Sequence, residues 1–181
     1  MRRRPLVLAG SLLALLLAVP AIAMASDTDG TAATPAPAST GQNMATFSVM
    51  TPVTGPFVGA ANPIRGLAGG GLPWEIRGAD GLVLTDGTVL VNVRGLVLAH
   101  EAPVPPAQQG TNPVGQLKAI VSCQTINAGA PAVVNVETAT APVTTTGNAT
   151  IKGTVSLPSP CIAPIVFVTS PARAWFAVTG A

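Results

Sequence analysis

Residues 88–98 read TVLVNVRGLVL, and this stretch decides the fold class. Val89, Val91 and Val93 alternate with larger or polar residues, so all three valines would lie on one face of a strand. This period of two is typical of a strand with one face in a hydrophobic core and the other in solvent. Gly95 interrupts the alternation and predicts a bulge, after which the strand continues.

Short apolar stretches separated by glycine and proline flank this strand on both sides. Asp86-Gly87 predicts a hairpin turn directly before it, and residues 78–81 predict another turn. Further strands are predicted at 44–50, 74–77, 82–84, 117–123, 133–138, 149–157, 165–168 and 174–179. About eight or nine short strands at this spacing predict an all-β fold, an antiparallel β-sandwich of the Greek-key, immunoglobulin-like or jelly-roll type.

The first 25 residues have the order of a secretory signal peptide. Three arginines at positions 2–4 precede an uncharged apolar run over residues 6–23. Ala23 and Ala25 place small residues at the two positions that a signal peptidase recognises, so we expect cleavage after Ala25. The sequence therefore predicts a secreted or cell-envelope protein.

Two alternatives remain open for this segment. The apolar run is about long enough to span a bilayer, so it would also serve as a permanent anchor. The polar residues 26–30, which follow the small-residue site, favour cleavage instead. No later apolar run is long enough to span a bilayer. Arg3-Arg4 fits a loose twin-arginine pattern, whereas the leucine-rich core favours the general secretory route.

Cleavage would change the charge of the chain. The full chain has nine basic and seven acidic residues, and loss of the three leader arginines leaves six basic against seven acidic. Since nucleic-acid binders need a basic face, we expect no nucleic-acid partner. Residues 26–43, rich in Ser, Thr, Ala and Pro, predict a flexible stalk, and residues 44–181 predict a single domain.

Cys123 and Cys161 are the two cysteines of the chain. In an exported protein such a pair predicts a disulfide bond, with two buried free thiols as the alternative. The two cysteines are not in a CxxC pair, which argues against thiol–disulfide catalysis.

His100-Glu101, at the end of the best strand, is the strongest candidate for chemistry. A general base or metal ligand at His100, oriented by Glu101, Asp80 or Asp86, would suit a small extracellular hydrolase. However, no Gly-x-Ser-x-Gly elbow is present to expose a nucleophile, and one histidine cannot build the multi-histidine zinc sites of common hydrolases. We therefore expect a protein that is not an enzyme.

Other residues allow weaker alternatives. Asp80 and Asp86 would suit a calcium-stabilised adhesion module, although Asp-Gly turns explain both. Trp74 and Trp175 would suit stacking on a ligand, although a place in the core is more common for tryptophan.

Arg77 and Arg94 fall within predicted strands. Pairing with Glu75 across a sheet is one alternative for them, and we expect them to lie on a solvated face. No cofactor or metal is predicted. The expected function is a structural or binding role. The sequence does not identify the partner, and a cell-envelope protein and a glycan are the candidates. The edge strands and the loops 51–71 and 102–115 are the expected binding surfaces.

Overall fold

The computed structural model describes residues 40–180, and within them nearly all regular structure is β-strand. The predicted signal peptide and residues 26–39 of the predicted stalk lie outside the described residues. The strands are β1 Asn43–Phe47, β2 Thr51–Pro52, β3 Trp74–Glu75, β4 Gly78–Leu84, β5 Thr88–Arg94, β6 Val97–Leu98, β7 Gln116–Asn127, β8 Ala130–Glu137, β9 Ala141–Pro142, β10 Ala149–Thr154, β11 Ile162–Thr169 and β12 Trp175–Val178; a 3-10 turn covers Gly55–Phe57.

The strands form two main sheets and one small sheet. The first main sheet has the order β1-β4-β5-β10, and the second has the order β2-β12-β11-β7-β8, with β9 also pairing with β7. The small sheet pairs β3 with β6. All of these strand pairings are antiparallel, which confirms the predicted all-β, antiparallel β-sandwich class.

The core confirms the alternation on which the fold was predicted. Val89, Val91 and Val93 of β5 are buried, whereas the residues between them are partly exposed. In β7 every residue from Leu117 to Cys123 is buried, because both faces of that strand are covered. A continuous run of this kind marks a strand at the centre of the fold, with no solvent face in its middle.

The strand count differs from the predicted eight or nine, because four of the twelve strands are only two residues long. Of these short strands, β3 lies within the strand predicted at 74–77 and β6 within the one predicted at 88–98, whereas β2 and β9 were not predicted. The eight strands of four residues or more correspond to predicted strands, with shifted ends.

The predicted turn at residues 78–81 is wrong, because these residues belong to β4. Ala79 is fully buried, and Asp80 pairs with Asn92 of β5 across the sheet. A Cβ at Gly81 would lie 2.3 Å from the Leu90 carbonyl oxygen, so glycine serves close packing here and does not mark a turn.

Gly95 does not mark a bulge within one continuing strand. It has φ +62°, and the chain leaves the first sheet there, so that β6 pairs with β3 instead. This departure places residues 97–100, which include His100, beside β3. The hairpin at Asp86-Gly87 is confirmed, with Gly87 at φ +85° between β4 and β5.

The segment between β2 and β3 is held against the second sheet by Arg65. Its guanidinium donates to the carbonyl oxygens of Ser122 and Ala163, each at 2.8 Å, and Asn135 Nδ2 donates to the Arg65 carbonyl oxygen. The β11–β7 register shifts between Ile162 and Ile165, so one of these carbonyls lies within that irregularity. Arg65 thus satisfies backbone groups at a place where the ladder is interrupted.

Cys123 and Cys161 form the predicted disulfide, with their Cα atoms 5.0 Å apart. The bond joins β7 to the residue directly before β11, its neighbour in the sheet.

Within residues 40–180, no helix has the length and apolar character needed to cross a bilayer.

Candidate functional site

A cavity of about 450 Å³ lies beside the small β3–β6 sheet. This volume falls in the range of about 300–1,000 Å³ that is typical of small-molecule sites. Polar groups dominate its lining, which consists of Glu75, Ile76, Arg77, Gly95, Val97, His100, Gly110 and Thr146.

The His100 imidazole contacts the Glu75 carboxylate, Nδ1 to Oε1. Glu75 lies opposite Val97 in the β3–β6 pair, and the Ala99 N–H donates to the Pro73 carbonyl oxygen, so the two chain segments run side by side up to His100. The predicted partner Glu101 is exposed and does not contact the ring. No pattern in the sequence links Glu75 to His100, because strand pairing brings the two residues together across 25 positions.

Gly110 closes the cavity on the other side of the imidazole. A Cβ at this position would lie 2.5 Å from His100 Nε2, and the residue has φ +66°. The Gly110 N–H donates to the Leu98 carbonyl oxygen, which ties the 102–115 loop to β6. Glycine is therefore required both by the backbone conformation and by the ring that rests on it.

Arg77 and Gly95 also line the cavity and contact each other. The Arg77 N–H donates to the Arg94 carbonyl oxygen, and a Cβ at Gly95 would lie 2.9 Å from the Arg77 Cβ. Both arginines are exposed, as expected, and neither pairs with Glu75. Asp80 Oδ1 lies 2.5 Å from the Arg94 guanidinium, and the Arg77 guanidinium has no hydrogen-bond or ion-pair partner among residues 40–180.

Thr146 lines the cavity, but its hydroxyl group is not placed to act as a nucleophile. Thr146 Oγ1 lies 2.9 Å from Thr144 Oγ1, and Asn148 Nδ2 donates to it at 3.1 Å. These bonds fix a turn whose Asn148 Oδ1 accepts the Gly95 N–H. Thr146 thus belongs to a local polar network and is not hydrogen-bonded to His100, although activation would require that contact.

The two aspartates of the calcium hypothesis have separate structural roles. Asp80 accepts hydrogen bonds from Asn92 and Arg94 on β5, which lower the pKa of its carboxyl group, the Asn92 bond being the larger cause. Asp86 accepts the N–H groups of Gly41 and Thr88 at the hairpin. In the described part of the chain no three His, Cys, Asp or Glu side chains gather into a metal-binding group.

Both tryptophans are buried in the core. Trp74 stacks on Phe176, with ring centroids 4.1 Å apart, and Trp175 meets Phe167 edge-on at 6.1 Å. The core position that is more common for tryptophan is therefore confirmed for both indoles.

A second, apolar surface lies at the tip of the β7–β8 hairpin. Ile126, Val133 and Ile162 are each about half exposed and line a groove of about 380 Å³. Most large apolar residues elsewhere in residues 40–180 are buried, so this grouping is distinctive.

We found no match to the chain among protein-family models, curated proteins or solved structures.

Proposed function

We propose that the protein is exported and serves a binding role, without catalysis, at the cell envelope or outside the cell. The leader sequence and the Cys123–Cys161 disulfide support export, because disulfides persist in oxidising compartments. The cavity beside His100 is the proposed binding site, and a glycan or another envelope component is the proposed partner.

The observation that carries this proposal is the composition of the cavity wall. It combines a carboxylate, an imidazole, an unpaired guanidinium and two glycines that bring the backbone to its surface. Convergent polar groups of this kind fix and orient a bound molecule.

Gly110→Ala is the variant that tests this role, since the added methyl group meets the His100 ring and would displace it. Gly71→Ala is the matched control, because a Cβ there has no neighbour within 4 Å. We expect wild type and Gly71→Ala to recover the same partner from cell-envelope fractions, and Gly110→Ala to recover little of it. Equal recovery by all three proteins, each first shown to be folded by its melting curve, would refute the cavity as the site.

A small extracellular hydrolase is the alternative, and the His100–Glu75 contact favours it because a carboxylate orients a histidine base in many hydrolases. The discriminating experiment compares wild type with His100→Ala on ester, peptide and glycoside substrates. Activity that is present in wild type and lost in the variant would replace the binding proposal. A calcium-stabilised adhesion module is a further alternative, which an unchanged melting temperature in chelator would remove.

A further inference from the structure

Arg77 is unusual among the basic residues of this protein. Within residues 40–180 the other arginines and Lys118 bind carboxylates or backbone carbonyl groups, and only Arg77 and Lys152 have no partner. Lys152 lies on β10 and does not line the cavity, whereas Arg77 does. The cavity therefore holds the one unpaired guanidinium of the described chain.

The base of Arg77 is fixed although its guanidinium is free. Its N–H is bonded to the Arg94 carbonyl oxygen, and its stem packs on Gly95, which Asn148 holds in place. A planar guanidinium held at its base is suited to bidentate binding of a carboxylate.

The neighbouring groups determine what else a ligand must carry. The Glu75 carboxylate contacts His100 and forms no ion pair with Arg77, and an oxygen of that carboxylate and the exposed imidazole remain able to bind hydroxyl groups. Ile76 and Val97 add an apolar contribution to the lining. A ligand that matches these side chains must carry hydroxyl groups, one acidic group and an apolar C–H face. An acidic sugar has this combination.

We propose that this cavity binds a carboxylate-bearing saccharide, with Arg77 on the sugar carboxylate and with Glu75 and His100 on ring hydroxyls. The inference rests on the binding function proposed above for the cavity. The planar guanidinium of Arg77 can hold both oxygens of a sugar carboxylate in a bidentate pair, which matches the single guanidinium without a partner in the cavity.

The test uses the full chain and two sugars that differ at one position, galacturonate and galactose. Binding is followed by the amide NMR shifts of Gly95 and Gly110, which report on two walls of the cavity. We expect galacturonate to bind about 10- to 100-fold more tightly than galactose, the ratio that a charge-assisted hydrogen-bond pair provides. Arg77→Gln should abolish that preference, and Lys152→Gln, which removes the other unpaired cation, should retain it.

The outcomes separate the ligand class from the binding function. Equal binding of both sugars, or an unchanged preference in Arg77→Gln, would overturn the acidic-sugar proposal and leave the cavity as a binding site. If neither sugar shifts these amides while Gly110→Ala still loses a partner recovered from envelope fractions, the ligand class alone is wrong. If that partner is absent too, both proposals fail. The amide spectrum of Arg77→Gln also shows whether the variant is folded.

Discussion

At the scale of single residues, Asp80 shows how local bonding links protonation to stability. Asn92 and Arg94 hold the pKa of its carboxyl group below its ordinary value of 3.8. A lowered folded-state pKa stabilises the fold above the unfolded-state value, and this contribution is lost as the pH falls through the folded-state value. The side chain is 42% exposed, so solvent screening keeps the effect small.

Asp80→Asn should therefore lower the melting temperature at pH 6 by a few degrees at most, and the difference from wild type should shrink towards pH 2.5. Thermal unfolding followed by circular dichroism at both pH values measures this. Glu101→Gln is the control, since Glu101 is exposed and its carboxylate has no partner in the described structure. A difference between Asp80→Asn and wild type that does not change with pH would contradict the assignment.

The sequence identified candidate functional side chains more reliably than it identified the residues that they contact. His100 stands out as the sole histidine of the chain, but its partner is Glu75 and not the adjacent Glu101. Lys118 likewise is buried and reaches Glu137 at 3.0 Å across the β7–β8 pair. Partners of this kind are set by strand register, which the sequence does not state.

At the scale of elements, the disulfide fixes β7 to the start of β11. Cys123 is fully buried, and its partner lies 38 positions along the chain. A loop of that length gives about 4 kcal/mol of stabilisation in the chain-entropy model, and measured values are often smaller.

We expect the double variant Cys123→Ala, Cys161→Ala to lose about 2–4 kcal/mol of unfolding free energy in urea titrations. A reductant should destabilise wild type by a similar amount and leave the double variant unchanged, which serves as the control. If the variant and wild type have the same urea midpoint, the bond does not contribute in this way.

The elements that were predicted correctly are those with a long, unambiguous period, such as β5 and β10. Residues 78–81 were predicted as a turn because Asp-Gly usually marks one, but burial of Ala79 and cross-strand bonding of Asp80 hold them in β4. The two-residue strands β3 and β6 position Glu75 and Val97 in the candidate site; the sequence predicted strands at both places but not that they pair with each other. The site was harder to predict than the sandwich because it depends on these short pairings.

At the scale of the whole molecule, the proposals depend on export of the chain. A signal peptidase requires small residues at its recognition positions, which Ala23 and Ala25 provide. We expect the exported protein to begin at Ser26, as measured by intact mass. Ala25→Arg should retain the leader in the membrane fraction, and Ser26→Ala should be processed like wild type.

An exported wild-type protein that still begins at Met1 would contradict cleavage and favour a permanent anchor.

Processing also bears on the binding site. Removal of the three leader arginines leaves six basic residues, of which Arg65, Arg94, Lys118 and Arg173 are engaged within the fold. Arg77 and Lys152 are then the basic residues without a partner in the described structure, and of these two Arg77 lines the cavity beside His100. Cleavage would thus concentrate the recognition of negative charge at the site beside His100.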